Sequence, residues 1–187
     1  MSSIRWLNDI EAAKREIKGL NKLIFMFFHH PQCTGCKKTR EIDFIDPGVV
    51  ELINRDFASV SLLVTEAQEM TARYRVEWTP TFILADENGK ELERWVGYLP
   101  PEDFISQIYL SEGLAAFHRE RFKEAEGDFA WIIDNKADSH AAPEARYYMG
   151  VALYKDTGDP VHLARTWESM HKRYPDDYWT KKASAWS

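Results

Sequence analysis

Leu23-Ile24-Phe25-Met26-Phe27-Phe28-His29-His30-Pro31-Gln32-Cys33-Thr34-Gly35-Cys36-Lys37-Lys38-Thr39-Arg40-Glu41 is the segment that most constrains the architecture. Its first six residues are an unbroken apolar run, as expected of a strand covered on both faces. Its last five, four of them charged, read as the start of a helix. Cys33 and Cys36, the two cysteines of the chain, therefore fall where a buried strand turns into the start of a helix. Helix N-termini carry unsatisfied N–H groups and the positive end of the dipole. A thiolate placed there is stabilised, so it can attack a disulfide at neutral pH. The two-residue spacing lets the second thiol reach back and resolve the mixed disulfide.

Outward from this stretch, the composition is that of an ordinary globular protein. The chain has 187 residues, 44% of them hydrophobic and 29% charged. A core of normal size is within reach, so the cysteines are not needed to hold a small fold together. A formal net charge of −6 argues against nucleic acid or an anionic membrane surface as the main partner. No segment reads as a membrane span or a signal peptide, which makes a cytoplasmic location the expectation. In that compartment a close cysteine pair is redox-active more often than structural.

Residues 4–20 carry Ile4, Leu7, Ile10, Ala13 and Ile17 at three-to-four spacing, which predicts an amphipathic helix. The helix after Cys33 is expected to run to about Ile45, where Asp46-Pro47-Gly48 breaks it before a short helix at Val49–Arg55. Phe57–Val64 reads as a second strand and Glu66–Tyr74 as a helix. Thr81–Ala85 and Glu91–Val96 read as strands joined by Asp86-Glu87-Asn88-Gly89, with the Asn-Gly signature of a hairpin. Strands alternating with helices, closed by a hairpin, predict an α/β sheet with one antiparallel edge. Pro101 opens a helix, and no strand is expected beyond it. Gly113, Ala115 and Phe117 recur as Gly150, Ala152 and Tyr154 at an offset of 37 (150 − 113). Phe129 matches Trp167 with one extra residue, an arrangement expected of stacked helical hairpins.

Residues 1–108 resemble the thioredoxin superfamily, in its branch with a leading tryptophan and helix. The resemblance rests on Trp6, the strand running into Cys33-Thr34-Gly35-Cys36-Lys37, Phe44-Ile45-Asp46-Pro47 to Phe57, Thr79-Pro80-Thr81-Phe82, and Gly97-Tyr98, in that order. It implies a mixed central sheet flanked by helices, with Cys33 as the attacking thiol and Cys36 as the resolving one. It further implies that Pro80 is a cis-proline facing the pair, with Thr79 beside it pairing with an extended substrate segment; Trp78, just before this loop, reads either as a core residue or as a docking surface for the substrate. Three positions depart from the pattern. The buried carboxylate usual in the strand is Phe27, its lysine partner is Ser61, and the tryptophan before the first cysteine is Gln32. His29 and His30 are the candidates for the missing acid-base group, since imidazole titrates near neutrality.

The cysteines have two competing readings. They could be reduced core residues, or zinc ligands together with His29 or His30. Adjacent histidines on an extended segment point to opposite sides, so no metal is expected. No organic cofactor is expected either. Residues 109–187 resemble tetratricopeptide repeats through Gly150, Ala152, Tyr154, Leu163, Trp167 and Tyr174-Pro175-Asp176, with Trp179 and Trp186 in a cap. The expectation is a thiol–disulfide oxidoreductase acting on protein disulfides or thiols. It would be recycled by a reductase or a small thiol, and the helical repeats would engage a further protein partner. The alternative is an adaptor that keeps the thioredoxin shape and binds partners through its repeats.

Overall fold

The computed structural model describes residues 3–187. It forms two compact units that divide between Ile105 and Ser106. The first is built on a five-stranded sheet of β1 (Trp6–Leu7), β2 (Leu23–His29), β3 (Phe57–Leu63), β4 (Thr81–Ala85) and β5 (Glu91–Val96). The strand order is β1-β3-β2-β4-β5. β3 runs parallel to both its neighbours, and β4 and β5 complete the sheet antiparallel.

β2 is central, and side-chain alternation sends its residues to two cores. Phe25 and Phe27 join Phe44, Phe82, Trp95 and Phe104 in an aromatic layer, where Phe82 stacks on Trp95 at 4.8 Å between ring centroids. Ile24, Met26 and Phe28 pack on the other face against Ile10, Ala13, Ile17 and Tyr74. Every residue from Leu23 to Phe28 is buried. At about 25 cal/mol per Å² of apolar surface, each large side chain contributes roughly 2–3 kcal/mol, which fixes β2 and hence the turn that follows it.

The first helix is shorter than its spacing suggested: α1 spans Ile10–Ile17. Asp9 caps it by accepting the Ala12 N–H at 2.6 Å, which starts the helix there. Trp6 and Leu7 are extended and pair with Ser59 and Val60. After Cys33, α2 (Thr34–Glu41) gives way to a 3-10 turn at Asp43–Ile45. Asp46 and Pro47 do more than break it. Asp46 accepts the Gly48 and Val49 N–H groups at 2.9 and 3.1 Å, and Pro47 begins α3 (Pro47–Asp56). α4 covers Gln68–Arg73. In the hairpin, Asp86 accepts the N–H groups of Asn88 and Lys90, and Gly89 takes the left-handed φ of +74°.

The division between units falls inside α5 (Pro101–His118). Within the second unit follow α6 (Phe122–Asn135), α7 (Ala142–Thr157), α8 (Val161–Arg173) and α9 (Tyr178–Ala183). Its described residues contain no strand. Two glycines let helices approach closely. A Cβ on Gly113 would sit 2.5 Å from Phe129, and one on Gly150 would overlap Thr166. The structural partners thus repeat at the glycine offset, since 166 − 129 is also 37. The counterpart of Phe129 is Thr166, with no extra residue, and Trp167 packs instead on His171. Trp179 lies against Tyr147 and Tyr148 with the Lys182 ammonium 4.0 Å above its ring, and Trp186 stacks on Tyr147. Among the described residues no helix is long and apolar enough to cross a membrane.

Candidate redox site

Strand register brings three loops to one edge of the first unit. β2 ends at His29, and its neighbour Phe28 pairs with Thr81 at the start of β4. Thr81 in turn pairs with Val96 at the end of β5. The segments that follow β2, precede β4 and follow β5 are therefore adjacent. They carry Cys33, Thr79-Pro80 and Gly97-Tyr98 respectively. A further tie is the Gly97 N–H, which donates to the Pro80 carbonyl at 2.8 Å.

Cys33 and Cys36 form a disulfide, with their Cα atoms 5.2 Å apart. Cys33 is the N-cap of α2, and its Sγ accepts the Cys36 N–H at 3.0 Å. That N–H is one of the orphan donors of the first turn, so a thiolate at Cys33 receives a hydrogen bond as well as the dipole. The sulfur is half-buried and lies 3.2 Å from the Thr79 carbonyl oxygen, to which a protonated thiol would donate. Cys36 is fully buried. The two sulfurs thus differ in access, as attack and resolution require.

The Thr79–Pro80 peptide is cis. An open groove of about 680 Å³ runs past Cys33, and Pro80, Thr79, Trp78, Val76 and Tyr98 line it. Trp78 is 72% exposed, an extent at which an indole offers apolar surface to a partner. Gly35 faces the cis-proline: a Cβ there would sit 3.0 Å from Pro80 Cδ. The glycine in the motif therefore answers to close packing against Pro80.

The two histidines separate. His30 lines the groove, its Nδ1 accepting the Gln32 N–H at 3.1 Å. His29 leaves it: the ring stacks on Phe27, and Nδ1 accepts from the Arg40 guanidinium at 3.2 Å. Burial first, and then the Arg40 charge, push the His29 pKa below its ordinary value, which keeps the imidazole neutral at pH 7. Phe27 pairs in register with Ser61, so the two positions where the resemblance expects a carboxylate and a lysine are indeed neighbours, and neither is ionisable. Among the described residues no three His, Cys, Asp or Glu side chains gather as metal ligands would.

One carboxylate does lie buried near this site, at a position that sequence reasoning missed. Asp43 is wholly sealed from solvent, and neither of its oxygens has a hydrogen-bond partner. Burial pushes its pKa up to about 7. The Thr39 hydroxyl pulls the other way without reaching hydrogen-bonding geometry, and Asp46 adds a smaller upward push. The available signal was its spacing from Cys36 and Thr39, both also buried, which places the three on one face of the helical stretch.

A mixed sheet with a disulfide at a helix N-terminus, set opposite a cis-proline loop, defines a thioredoxin-like protein. Residues 10–109 match the family described as thioredoxin-like domain, and the chain belongs to it. The chain is 25% identical over 109 residues to the thiol:disulfide interchange protein DsbD of Campylobacter jejuni. That match covers 57% of this chain and 19% of the relative, so the chain spans about a fifth of the relative's length. A thioredoxin from Thermus thermophilus is 28% identical with a TM-score of 0.50, over 57% of this chain and 85% of that one. The DsbH oxidoreductase shares the fold at 19% identity and a TM-score of 0.53, over 59% and 85% of the two chains.

Proposed function

We propose that the protein is a thiol–disulfide oxidoreductase acting on protein substrates through Cys33 and Cys36. The observation that carries this reading is the unequal placement of the two sulfurs, one capping α2 at an open groove and the other sealed beneath it. In the reducing direction, the Cys33 thiolate attacks a substrate disulfide. A Cys33–substrate disulfide forms, and the first substrate sulfur leaves as a thiolate that takes a proton from water. Cys36 then loses its proton and displaces the second substrate sulfur, which is protonated in turn. The Cys33–Cys36 disulfide is regenerated, and two electrons have passed to the substrate. Trp78, Thr79 and Pro80 hold the substrate segment, and His30 is placed to exchange protons in the groove. A reductase or small thiol returns the pair to the dithiol.

The second unit, in this proposal, is a tetratricopeptide-like array that recruits a protein partner. The equal offset of Gly113–Phe129 and Gly150–Thr166 supports that reading. An insulin-reduction assay with dithiothreitol as electron source tests the activity, with Cys33→Ser as control. The expected result is turnover by the wild type and background with the variant. Wild type at background overturns the catalytic reading in favour of an adaptor.

A further inference from the structure

Phe27 leaves the sheet without an ionisable group beneath the redox pair, yet a buried carboxylate, Asp43, lies just past the far end of the helix that the pair opens. Asp43 stands seven residues after Cys36 and ten after Cys33, in the 3-10 turn that follows the last residue of α2, Glu41. Thr39, between them on the same face, is also wholly buried. The Asp43 charge also acts on Tyr98, whose phenol is pushed up first by burial and then by that charge. Tyr98 in turn lines the Cys33 groove and packs close to Gly35 inside the motif. The charged and titratable groups bearing on this arrangement are Asp46 at the start of α3, Tyr98 after β5, and Lys38, whose ammonium lies 5.4 Å over the Tyr98 ring. Phe44 and Phe104, from the 3-10 turn and α5, contribute only apolar surface.

We propose that Asp43 is a positioning residue of the redox site, one whose charge sets how reduction of the Cys33–Cys36 disulfide depends on pH. The inference rests on the oxidoreductase reading. Reduction adds two electrons and takes up protons, leaving Cys33 partly as thiolate. The Cys33 thiolate is half-buried and the Asp43 carboxylate is sealed from solvent, so these like charges are screened less than in water and each disfavours the other. Reduction therefore draws an added fraction of a proton onto Asp43 at pH values around its midpoint. Above that range the ionised carboxylate opposes the thiolate and favours the disulfide. Below it Asp43 is neutral and has no influence.

Equilibrium of the full-length protein with glutathione buffers, from pH 5.5 to 9, tests this for the wild type and for Asp43→Asn. The two couples should coincide at pH 5.5. At pH 8.5 the wild-type disulfide should be about tenfold harder to reduce, or ~30 mV more negative for this two-electron couple. Parallel profiles across the range overturn the inference. Should the variant fold poorly, carbon NMR of the Asp43 carboxyl in the wild type serves instead. Its midpoint should rise on reduction, and an unchanged midpoint overturns the proposal. A pair that never exchanges with glutathione would count against the oxidoreductase reading itself. A pair that exchanges with no Asp43-dependent profile counts only against the role of Asp43.

Discussion

Replacing Asp43 by Asn should stabilise the oxidised protein, and by an amount that grows with pH. The folded-state pKa of Asp43 is raised from an ordinary 3.8 to about 7. Between those values the folded state holds a proton that the unfolded chain has released, so stability falls as pH rises through this window. Below about pH 4 both states are protonated and the group has no effect. Each pH unit of the window is worth about 1.36 kcal/mol, so the full destabilisation reached above pH 7 is about 4 kcal/mol. At pH 5 only the part of the window already crossed counts, about 2 kcal/mol. Asn keeps the shape and the neutral polarity of the protonated acid, so it removes the charge and little else. The gain should be about 4 kcal/mol at pH 8, which in a chain of this size is roughly 10 °C in midpoint temperature. Urea titrations of oxidised wild type and Asp43→Asn at pH 4, 5, 6.5 and 8 measure it, and the difference between the two isolates this group from every other titration. A difference that stays flat from pH 4 to 8 would rule this account out, since it would mean that the carboxyl ionises as freely in the fold as in water.

Two further outcomes follow from burial and from packing. After reduction, Cys33 should react with iodoacetamide at pH 7 at least about tenfold faster than Cys36, because only the first is reachable and capped by an N–H; peptide mapping by mass spectrometry reads the order, and equal slow rates would contradict it. Gly150→Ala should destabilise the second unit by about 1–3 kcal/mol in urea, because the new methyl would overlap Thr166, its hydroxyl first of all; a Gly150→Ala/Thr166→Ala double variant, which removes that hydroxyl, should recover part of the loss.

The sheet was legible because its signals are local and strong. An apolar run such as Leu23–Phe28 has few alternatives to a two-sided strand, and Asp86–Gly89 carries its own turn chemistry. The start of the chain misled because Ile4 and Leu7 share the spacing of Ile10, Ala13 and Ile17 without sharing their helix. Asp9 sets the boundary, and the pairing of Trp6–Leu7 with β3 is a tertiary event. Aromatic identity pairs Phe129 with Trp167, one position out of register, whereas helix faces put Thr166 in its place. The cysteine pair and Thr79-Pro80 could be read from sequence, but the parting of His29 from His30 could not. It depends on Arg40, one turn beyond Cys36, claiming the first ring. Asp43 was hidden for a similar reason. It sits among Glu41 and Asp46 in a run that reads as solvated surface, and its burial is decided by the packing of the helical stretch as a whole.

The geometry of the site and its chemistry are set by different residues, and this explains how the fold is kept with Phe27, Ser61 and Gln32 at the three positions. Register alone forces the loops after β2, before β4 and after β5 together, and register depends on alternation and apolar burial. Phe27 meets those demands at least as well as a carboxylate would. It stacks against Phe82 and His29, and it spares the cost of an ion in the central strand. What that substitution withdraws is a titrating group near the pair, and Asp43 supplies one from the end of α2, where a desolvated charge weakens a 3-10 turn and not the strand that orders the sheet. The stability penalty of the carboxylate and its influence on the disulfide then share one origin, desolvation, so Asp43→Asn should relieve the first, which builds up between about pH 4 and 7, and abolish the second, which sets in only as Asp43 ionises around and above about pH 7.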